Sequence, residues 1–330
     1  MENKKPFITI ITPTYNRADL LDYAILSVIN QKQDIPFDRE MIIVDDGSTD
    51  DTAALVKKYI KKYPHNIQYF YQKNSGIPGV GRNVGLDHMN KKSDYVIFLD
   101  SDDELTHDCV YMSLIKWDEI SIRKEYDEVL GFYFLCKSDS GTIVGKSKIF
   151  SGNQTKRKMH YGDFLYGDLG FELLLILKSS FFLENRNLRF SEEFITEGWL
   201  WSKMRKYVDS HGLSMYVFDC IGRLYRTNHT SEKNIVKTIS KKRFQNNAVG
   251  NEEIIKIIGG DFLSLGYKKQ YAKYLSAIGI NRIMFGSKKK GINFLRKSFK
   301  MKKSFLTFSI LLISLVWPAA IGYIYRIYIA

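Results

Sequence analysis

The chain of 330 residues is long enough for one large domain or two ordinary ones, with a sizeable core. With 45% hydrophobic and 26% charged residues and only 6 prolines, general disorder and collagen-like or linker-rich architectures are excluded. Cys109, Cys136 and Cys220 are odd in number and widely spaced, which excludes a disulfide framework and the common zinc-site spacings. The net charge of +13 is unevenly placed: residues 1–231 carry 30 Lys+Arg against 32 Asp+Glu, and residues 232–303 carry 18 against 4. A near-neutral body with a basic extension points to an anionic surface near its C-terminal end, membrane or nucleic acid.

The opening MENKKPFITI has neither the apolar core nor the cleavage site of a signal peptide, so a cytosolic body in a reducing compartment is expected. Phe7–Ile11 reads as a buried parallel strand. Asp19–Asn30 places Leu21, Ala24, Ile25, Val28 and Ile29 on one helical stripe. Met41–Val44 is a second strand, and the turn after it offers Ser, Thr and Asp as caps for a helix over about Asp51–Tyr63. Ile67–Tyr71 is a third strand, the glycine-rich Gly76–Gly85 opens a helix to about Met89, and Tyr95–Leu99 is a fourth strand. This alternation implies a mostly parallel sheet covered by helices on both faces. Ligands of such sheets sit beyond the carboxyl ends of the strands.

Further on, Val129–Cys136 and Met215–Phe218 read as strands, residues 151–170 as a mobile surface loop, and Glu192–Tyr207 as a loop entering a helix. Residues 235–300 look helical and basic, with Ile254, Ile255, Ile258, Tyr271, Tyr274, Leu275 and Ile278 at helical spacing. Ser304–Tyr325 carries no charge; as a helix it would be about 33 Å long, enough to cross or lie in a bilayer. Lys300, Lys302 and Lys303 precede it, which favours membrane association with that end on the cytosolic side. A buried C-terminal helix is the alternative.

Three strand ends carry polar clusters: Thr12–Arg17, Asp45–Asp50 and Asp100–Asp103. Asp100 and Asp102 stand two apart, so in extended backbone they face one side. Convergent carboxylates repel unless a cation lies between them, and hard divalent ions prefer such oxygen ligands.

ITPTYNRADLL (Ile11–Leu21), VDDGSTDDT (Val44–Thr52), NSGIPGVGRNVGL (Asn74–Leu86) and FLDSDD (Phe98–Asp103), in this order and spacing, resemble glycosyltransferase family 2, the inverting GT-A enzymes. The resemblance is strong over residues 6–105 and weaker to about 232. It implies an α/β GT-A fold with a mostly parallel sheet flanked by helices, to which the charge distribution and the uncharged run add a basic helical extension and an apolar tail. It implies that Pro13, Tyr15 and Arg17 contact the nucleotide, that Asp46 reads the uracil edge, and that Arg82 lies near the phosphates. Asp100 and Asp102 match the family's Asp-x-Asp motif for ribose and metal, Mn²⁺ or Mg²⁺, with Asp103 as a possible substitute. Tyr225–Ser231 resembles a late motif in which Arg226 and His229 approach the diphosphate and metal.

The family's acidic pair at the start of an acceptor-side helix matches Glu197-Gly198 here, with glycine in place of the base aspartate. Glu197 is the candidate base; Glu192, Glu193 or an enzyme without acceptor transfer are the alternatives, and Trp199 and Trp201 fit either sugar stacking or a core. The expected organisation is a transferase domain over 1–232 (nucleotide half 1–105, acceptor half 106–232), a basic helical extension over 233–303, and a membrane-associating or spanning helix over 304–325. The expected activity is metal-dependent transfer of a hexose from a UDP-sugar to a lipid-linked or polysaccharide acceptor in surface glycan biosynthesis. The expected place is the cytoplasmic face of the membrane, on an anionic surface and without nucleic acid. Two rivals remain. One is a membrane-attached nucleotide-sugar-binding protein without activity. The other is a dinucleotide-dependent oxidoreductase, suggested by Gly79-Val-Gly81-Arg-Asn-Val-Gly85, whose glycine spacing departs from the dinucleotide fingerprint.

Overall fold

The structure, a computed structural model, describes residues 5–144, 150, 153–166, 172–193, 196–226 and 241–316. In chain order its elements are β1 (Phe7–Thr14), α1 (Ala18–Ile29), β2 (Asp38–Asp45), α2 (Thr52–Lys62), β3 (Ile67–Tyr71), α3 (Pro78–His88), β4 (Tyr95–Phe98), β5 (Glu104–Leu105) and α4 (Cys109–Ile122). There follow β6 (Val129–Ser138), β7 (Lys156–Met159), α5 (Tyr161–Tyr166), β8 (Leu173–Lys178), α6 (Ser180–Glu184), α7 (Gly198–Ser210), β9 (Ser214–Tyr225), α8 (Lys241–Ser264), α9 (Lys268–Phe285), α10 (Lys288–Met301) and α11 (Phe305–Val316). The chain forms two compact units: Met1–Phe164, Asp168–Phe190 and Tyr207–His229 make the first; Leu165–Gly167, Ser191–Lys206 and Thr230–Ala330 make the second.

The first unit is an α/β fold around a mixed, mostly parallel sheet of order β3-β2-β1-β4-β8-β6-β9-β5, with β7 paired to β9. β3, β2, β1 and β4 are parallel, as are β6 and β9; β8 joins the halves antiparallel to both β4 and β6. β1 is buried at every position from Ile8 to Thr14, which is why it reads as an unbroken apolar run rather than an alternating one. The stripe of α1, Leu21, Ala24, Ile25, Val28 and Ile29, is buried as the helical period requires. It shares a core with Ile8, Ile10, Trp117, Phe132 and Phe218.

Two segments depart from the sequence reading. Residues 151–170 are not simply a loop, because they include β7 and α5. β7 is held by a partner remote in sequence, with Lys156 opposite Phe218 and Met159 opposite Met215 on β9; local composition cannot reveal such a partner. β8, LLLILK, cannot be told from a helix by its sequence, since a short apolar run without alternation fits strand or helix alike.

α3 lies unusually close to β1. A Cβ at Gly85 would stand 2.3 Å from Ile11 Cγ2, and one at Gly81 3.0 Å from Pro13 Cβ. The glycines that imitate a dinucleotide fingerprint thus seat this helix on the sheet, and that seating brings Arg82 and Asn83 to the strand ends. Asn83 holds a remote stretch of backbone with both its polar groups: its Nδ2 donates to the Phe190 carbonyl (3.1 Å) and its Oδ1 accepts from the Phe190 amide (2.9 Å).

In the second unit, α9 packs between α8 and α10. Arg282 of α9 donates to both oxygens of Glu252 on α8 (2.7 and 2.6 Å). α9 and α10 meet backbone to backbone: a Cβ on Gly291 would lie 2.6 Å from the Gly279 carbonyl oxygen. Ile283, Leu295 and Ile310 form a small core with α11. Of the apolar tail expected over 304–325, residues 317–325 lie outside the described residues. No described helix is long and apolar enough to cross a membrane.

Gly85→Ala is expected to destabilise the fold by about 1–3 kcal/mol through overpacking against Ile11. Urea denaturation measures this; an unchanged midpoint would refute the close α3–β1 contact.

Candidate active site

The carboxyl ends of β1, β2 and β4 carry loops that are tied to one another. Asn16, in the left-handed region at φ 50, follows β1. Its amide donates to Ser48 Oγ (2.8 Å), and its side-chain oxygen accepts from the Thr49 amide (2.7 Å). Next to it, Arg17 forms an ion pair with Asp102 after β4. The loop after β1 is therefore bound on one side to the β2 loop and on the other to the acidic turn. The sequence reading passed over Asn16; its only signal was its place between Tyr15 and Arg17.

Asp46 is buried and held by four donors. Oδ1 accepts from Gln72 Nε2 (2.6 Å) and the Ser75 amide (2.9 Å); Oδ2 accepts from Ser75 Oγ (3.0 Å) and the Gly76 amide (3.1 Å). The carboxylate thus anchors the loop that leads into α3. Asp45, directly before it, is fully buried and takes a structural part, accepting from Tyr69 Oη (2.6 Å) and the Ser48 amide (2.7 Å).

The acidic cluster is not extended. The Asp103 amide donates to the Asp100 carbonyl at 3.1 Å, which closes a turn. Each carboxylate of this turn faces a guanidinium: Arg82 donates to Asp100 (2.6 Å), Arg17 pairs with Asp102, and Arg223 of β9, which also pairs with Glu172 (3.2 Å), stands 3.3 Å from Asp103. The cation expected between convergent carboxylates is thus supplied by arginine. Partial desolvation works against the charge on Asp100, whose side chain is still 42% exposed, but Arg82, Arg223 and Arg17 together hold its carboxyl below the usual range. Asp103 is only 2% exposed. Burial, helped by the neighbouring charges of Asp100 and Asp102 and opposed by Arg223, pushes its pKa up to about 8.

Asp100 and Asp102 keep 42% and 25% of their side chains exposed. As hard oxygen donors they fit Mg²⁺ or Mn²⁺. Among the described residues no group of three or more His, Cys, Asp and Glu forms a metal cage.

Of the other candidates, Pro13 lies within β1 beside Val44, and Tyr15 is 46% exposed at the loop tip. Arg226 packs its guanidinium 4.1 Å over the Tyr23 ring and donates from Nε to Glu104 (2.8 Å). His229 lies outside the described residues. Glu197 belongs to the second unit and precedes α7, its carbonyl accepting from the Leu200 amide (3.0 Å). A Cβ on Gly198 would stand 3.2 Å from Ile254 Cδ1, so the glycine there admits α8 closely. Glu192 and Glu193 are exposed. Trp199 is partly buried with Lys203 Nζ 3.6 Å from its ring centre, and Trp201 is partly buried.

Arg223 and Asp103 were not paired in the sequence reading, because they lie on elements far apart in the chain. Arg223→Met is expected to destabilise the fold by a cost that grows as the pH rises through about 8, where Asp103 ionises, to roughly 3 kcal/mol on the alkaline side, and adding Asp103→Asn is expected to recover most of that alkaline loss. A denaturation double-mutant cycle measures the coupling; additive losses would show that the two do not act as a pair.

The family profile of "Glycosyl transferase family 2" matches residues 9–183. A GalNAc(5)-diNAcBac-PP-undecaprenol beta-1,3-glucosyltransferase of Campylobacter jejuni subsp. jejuni serotype O:2 is 35% identical over 205 residues, which cover 61% of this chain and 60% of that protein. The minor teichoic acid biosynthesis protein GgaA of Bacillus subtilis is 37% identical over 102 residues, covering 31% of this chain and 23% of that one. The chain thus spans less than two thirds of the length of either relative. In fold it resembles S. aureus TarS 1-349 in complex with UDP-GlcNAc, with TM-score 0.64 at 19% identity over 94% of this chain and 87% of that one. It also resembles a mannosyltransferase of Pyrobaculum calidifontis in complex with GDP-Man and Mn²⁺, with TM-score 0.53 at 16% identity over 97% and 85% of the two chains. The match over more than half of the chain, on a sheet whose strand ends converge as described, makes this protein a member of glycosyl transferase family 2.

Proposed function

We propose that the chain is an inverting glycosyltransferase that moves a hexose from a UDP-sugar to a lipid-linked or polysaccharide acceptor in surface glycan biosynthesis. It works at the cytoplasmic face of the membrane and without nucleic acid. The observation that carries this reading is the set of ties among the strand-end loops: Asn16 to Ser48 and Thr49, Arg17 to Asp102, and Arg82 to Asp100. These ties bring Asp46 and the acidic turn to one rim of the sheet. The curated relatives supply the substrate class, through a glucosyltransferase named for a polyprenyl-diphosphate substrate and a teichoic acid biosynthesis protein.

In this reading Asp46 accepts the uracil N3–H, displacing Gln72 or the Ser75 hydroxyl, while Pro13 and Tyr15 wall the base. Arg17, Arg82 and Arg226 offer positive charge to the diphosphate. Asp100 and Asp102 hold Mn²⁺ or Mg²⁺, with His229 as a further ligand; when bound, the ion neutralises charge on the departing diphosphate. Arg17, Arg82 and Arg226, which now pair with Asp102, Asp100 and Glu104, would turn to phosphate oxygens when the diphosphate binds. Glu197 removes the acceptor proton, and a single in-line attack inverts the anomeric centre.

A screen of UDP-glucose, UDP-galactose and their N-acetyl forms, read as UDP release with Mn²⁺ and Mg²⁺, identifies the donor; no release with any of them would defeat the reading. Asp102→Asn is expected to lower metal-dependent turnover by at least about 100-fold, and full activity would remove the metal assignment. Thermal protection by UDP with Mn²⁺, and none by NAD, separates this reading from a dinucleotide enzyme. Glu197→Gln is expected to reduce kcat by about 10²–10⁴-fold while UDP protection persists; unchanged kcat would move the base to Glu192 or Glu193.

A further inference from the structure

The second unit contains a cleft that the transferase reading leaves unused. It has a volume of about 460 Å³ and is lined by Ile255 of α8, by Lys268, Tyr271 and Leu275 of α9, and by Phe294, Lys297, Lys300 and Met301 of α10. The spacing explains its composition: 268, 271 and 275 on α9, and 294, 297 and 301 on α10, each fall on one helical face. Five of the lining residues are apolar or aromatic, and the other three are lysines, all exposed.

Among the described residues no acidic group neutralises those lysines. Glu252 is engaged by Arg282, Glu253 by Lys256, and Asp261 by Lys206. Among the described residues, no carboxylate pairs with Lys268, Lys297 or Lys300. Three like charges around one cleft repel each other in water, and an anion that brings them together relieves the repulsion. The apolar lining asks for hydrocarbon. A ligand that satisfies both is an amphiphile with a phosphate head and an aliphatic chain.

The surroundings indicate that it belongs to a bilayer. α11 packs on α10, with Phe299 and Phe308 5.6 Å apart and Ile310 in the small core, yet Phe308 and Leu312 stay 41% and 46% exposed. Exposed Lys288, Lys289, Lys290, Arg296, Lys302 and Lys303 extend the positive charge along α10. One soluble phosphate would meet only part of this charge, whereas a surface of anionic headgroups meets all of it. From these observations we infer that the α8–α9–α10 cleft seats an anionic phospholipid, its phosphate on Lys268, Lys297 and Lys300 and its acyl chain on Tyr271, Leu275, Phe294 and Met301. The inference deepens the membrane-surface part of the proposed function by giving it a binding site.

The test is co-sedimentation of the full chain with phosphatidylcholine vesicles made with and without phosphatidylglycerol, in the absence of donor and acceptor. Binding is expected only with phosphatidylglycerol. K268Q/K297Q/K300Q is expected to weaken it by about 100-fold. K288Q/K289Q/K290Q, which removes the same charge from the other end of α10, is expected to weaken it much less. Phe294→Ser leaves the charge unchanged and is expected to weaken binding by about 10-fold. Equal losses in the two lysine triples would show diffuse attraction and overturn the cleft, as would full binding by Phe294→Ser. Displacement from vesicles by a single-stranded oligonucleotide, with the rim lysines governing both ligands, would reassign the cleft to nucleic acid. Thermal protection by UDP with Mn²⁺, measured on the same samples, reports folding of the variants. It also keeps the two readings apart: loss of that protection in the unaltered chain strikes the transferase proposal and leaves the lipid site standing.

Discussion

The first unit depends on matching carboxylates with guanidinium groups at the carboxyl ends of its parallel strands. Asp100, Asp102 and Asp103 fall within one turn, where three negative charges in a partly buried space would repel one another strongly. Arg82 from α3, Arg17 from the loop after β1 and Arg223 from β9 each answer one of them. The three arginines come from different elements, so the charge balance also acts as a set of braces that orients those elements toward one rim.

That rim exists because α3 can approach β1. Two glycines, Gly81 and Gly85, face Pro13 and Ile11: a Cβ at Gly85 would clash with Ile11, and one at Gly81 would press tightly on Pro13. The same helix then carries Arg82 toward the acidic turn and Asn83 toward Phe190, so a packing requirement and a charge requirement meet on adjacent residues. Asp46 links this helix to the sheet from the other side, by holding Ser75 and Gly76 just ahead of it.

The second unit obeys different rules. Its three long helices are joined by close glycine contact, a bidentate Arg282–Glu252 pair and a modest apolar core. Its acidic residues are few, and Glu252, Glu253 and Asp261 are all committed to particular bases. Most of its lysines therefore remain as net surface charge. This is the charge asymmetry visible along the chain, now assigned to particular helices.

The sequence by itself determined the strand–helix alternation of residues 7–99. There, burial on both faces makes unbroken apolar runs and helix burial makes a regular stripe, so local pattern carries the structure. It also determined which residues cluster after each strand, and that the basic charge belongs to the late helices. Only the tertiary structure decided that β8 enters the sheet antiparallel, that residues 156–166 form β7 and α5, and that Arg223 answers Asp103 from 120 positions away. It likewise decided that the turn at Asp100 is closed by arginines and that the lysines of α9 and α10 border one cleft. The division follows from range: periodicity and turn chemistry act between near neighbours, whereas strand partners, buried ion pairs and cleft walls are contacts between distant residues that no local pattern records.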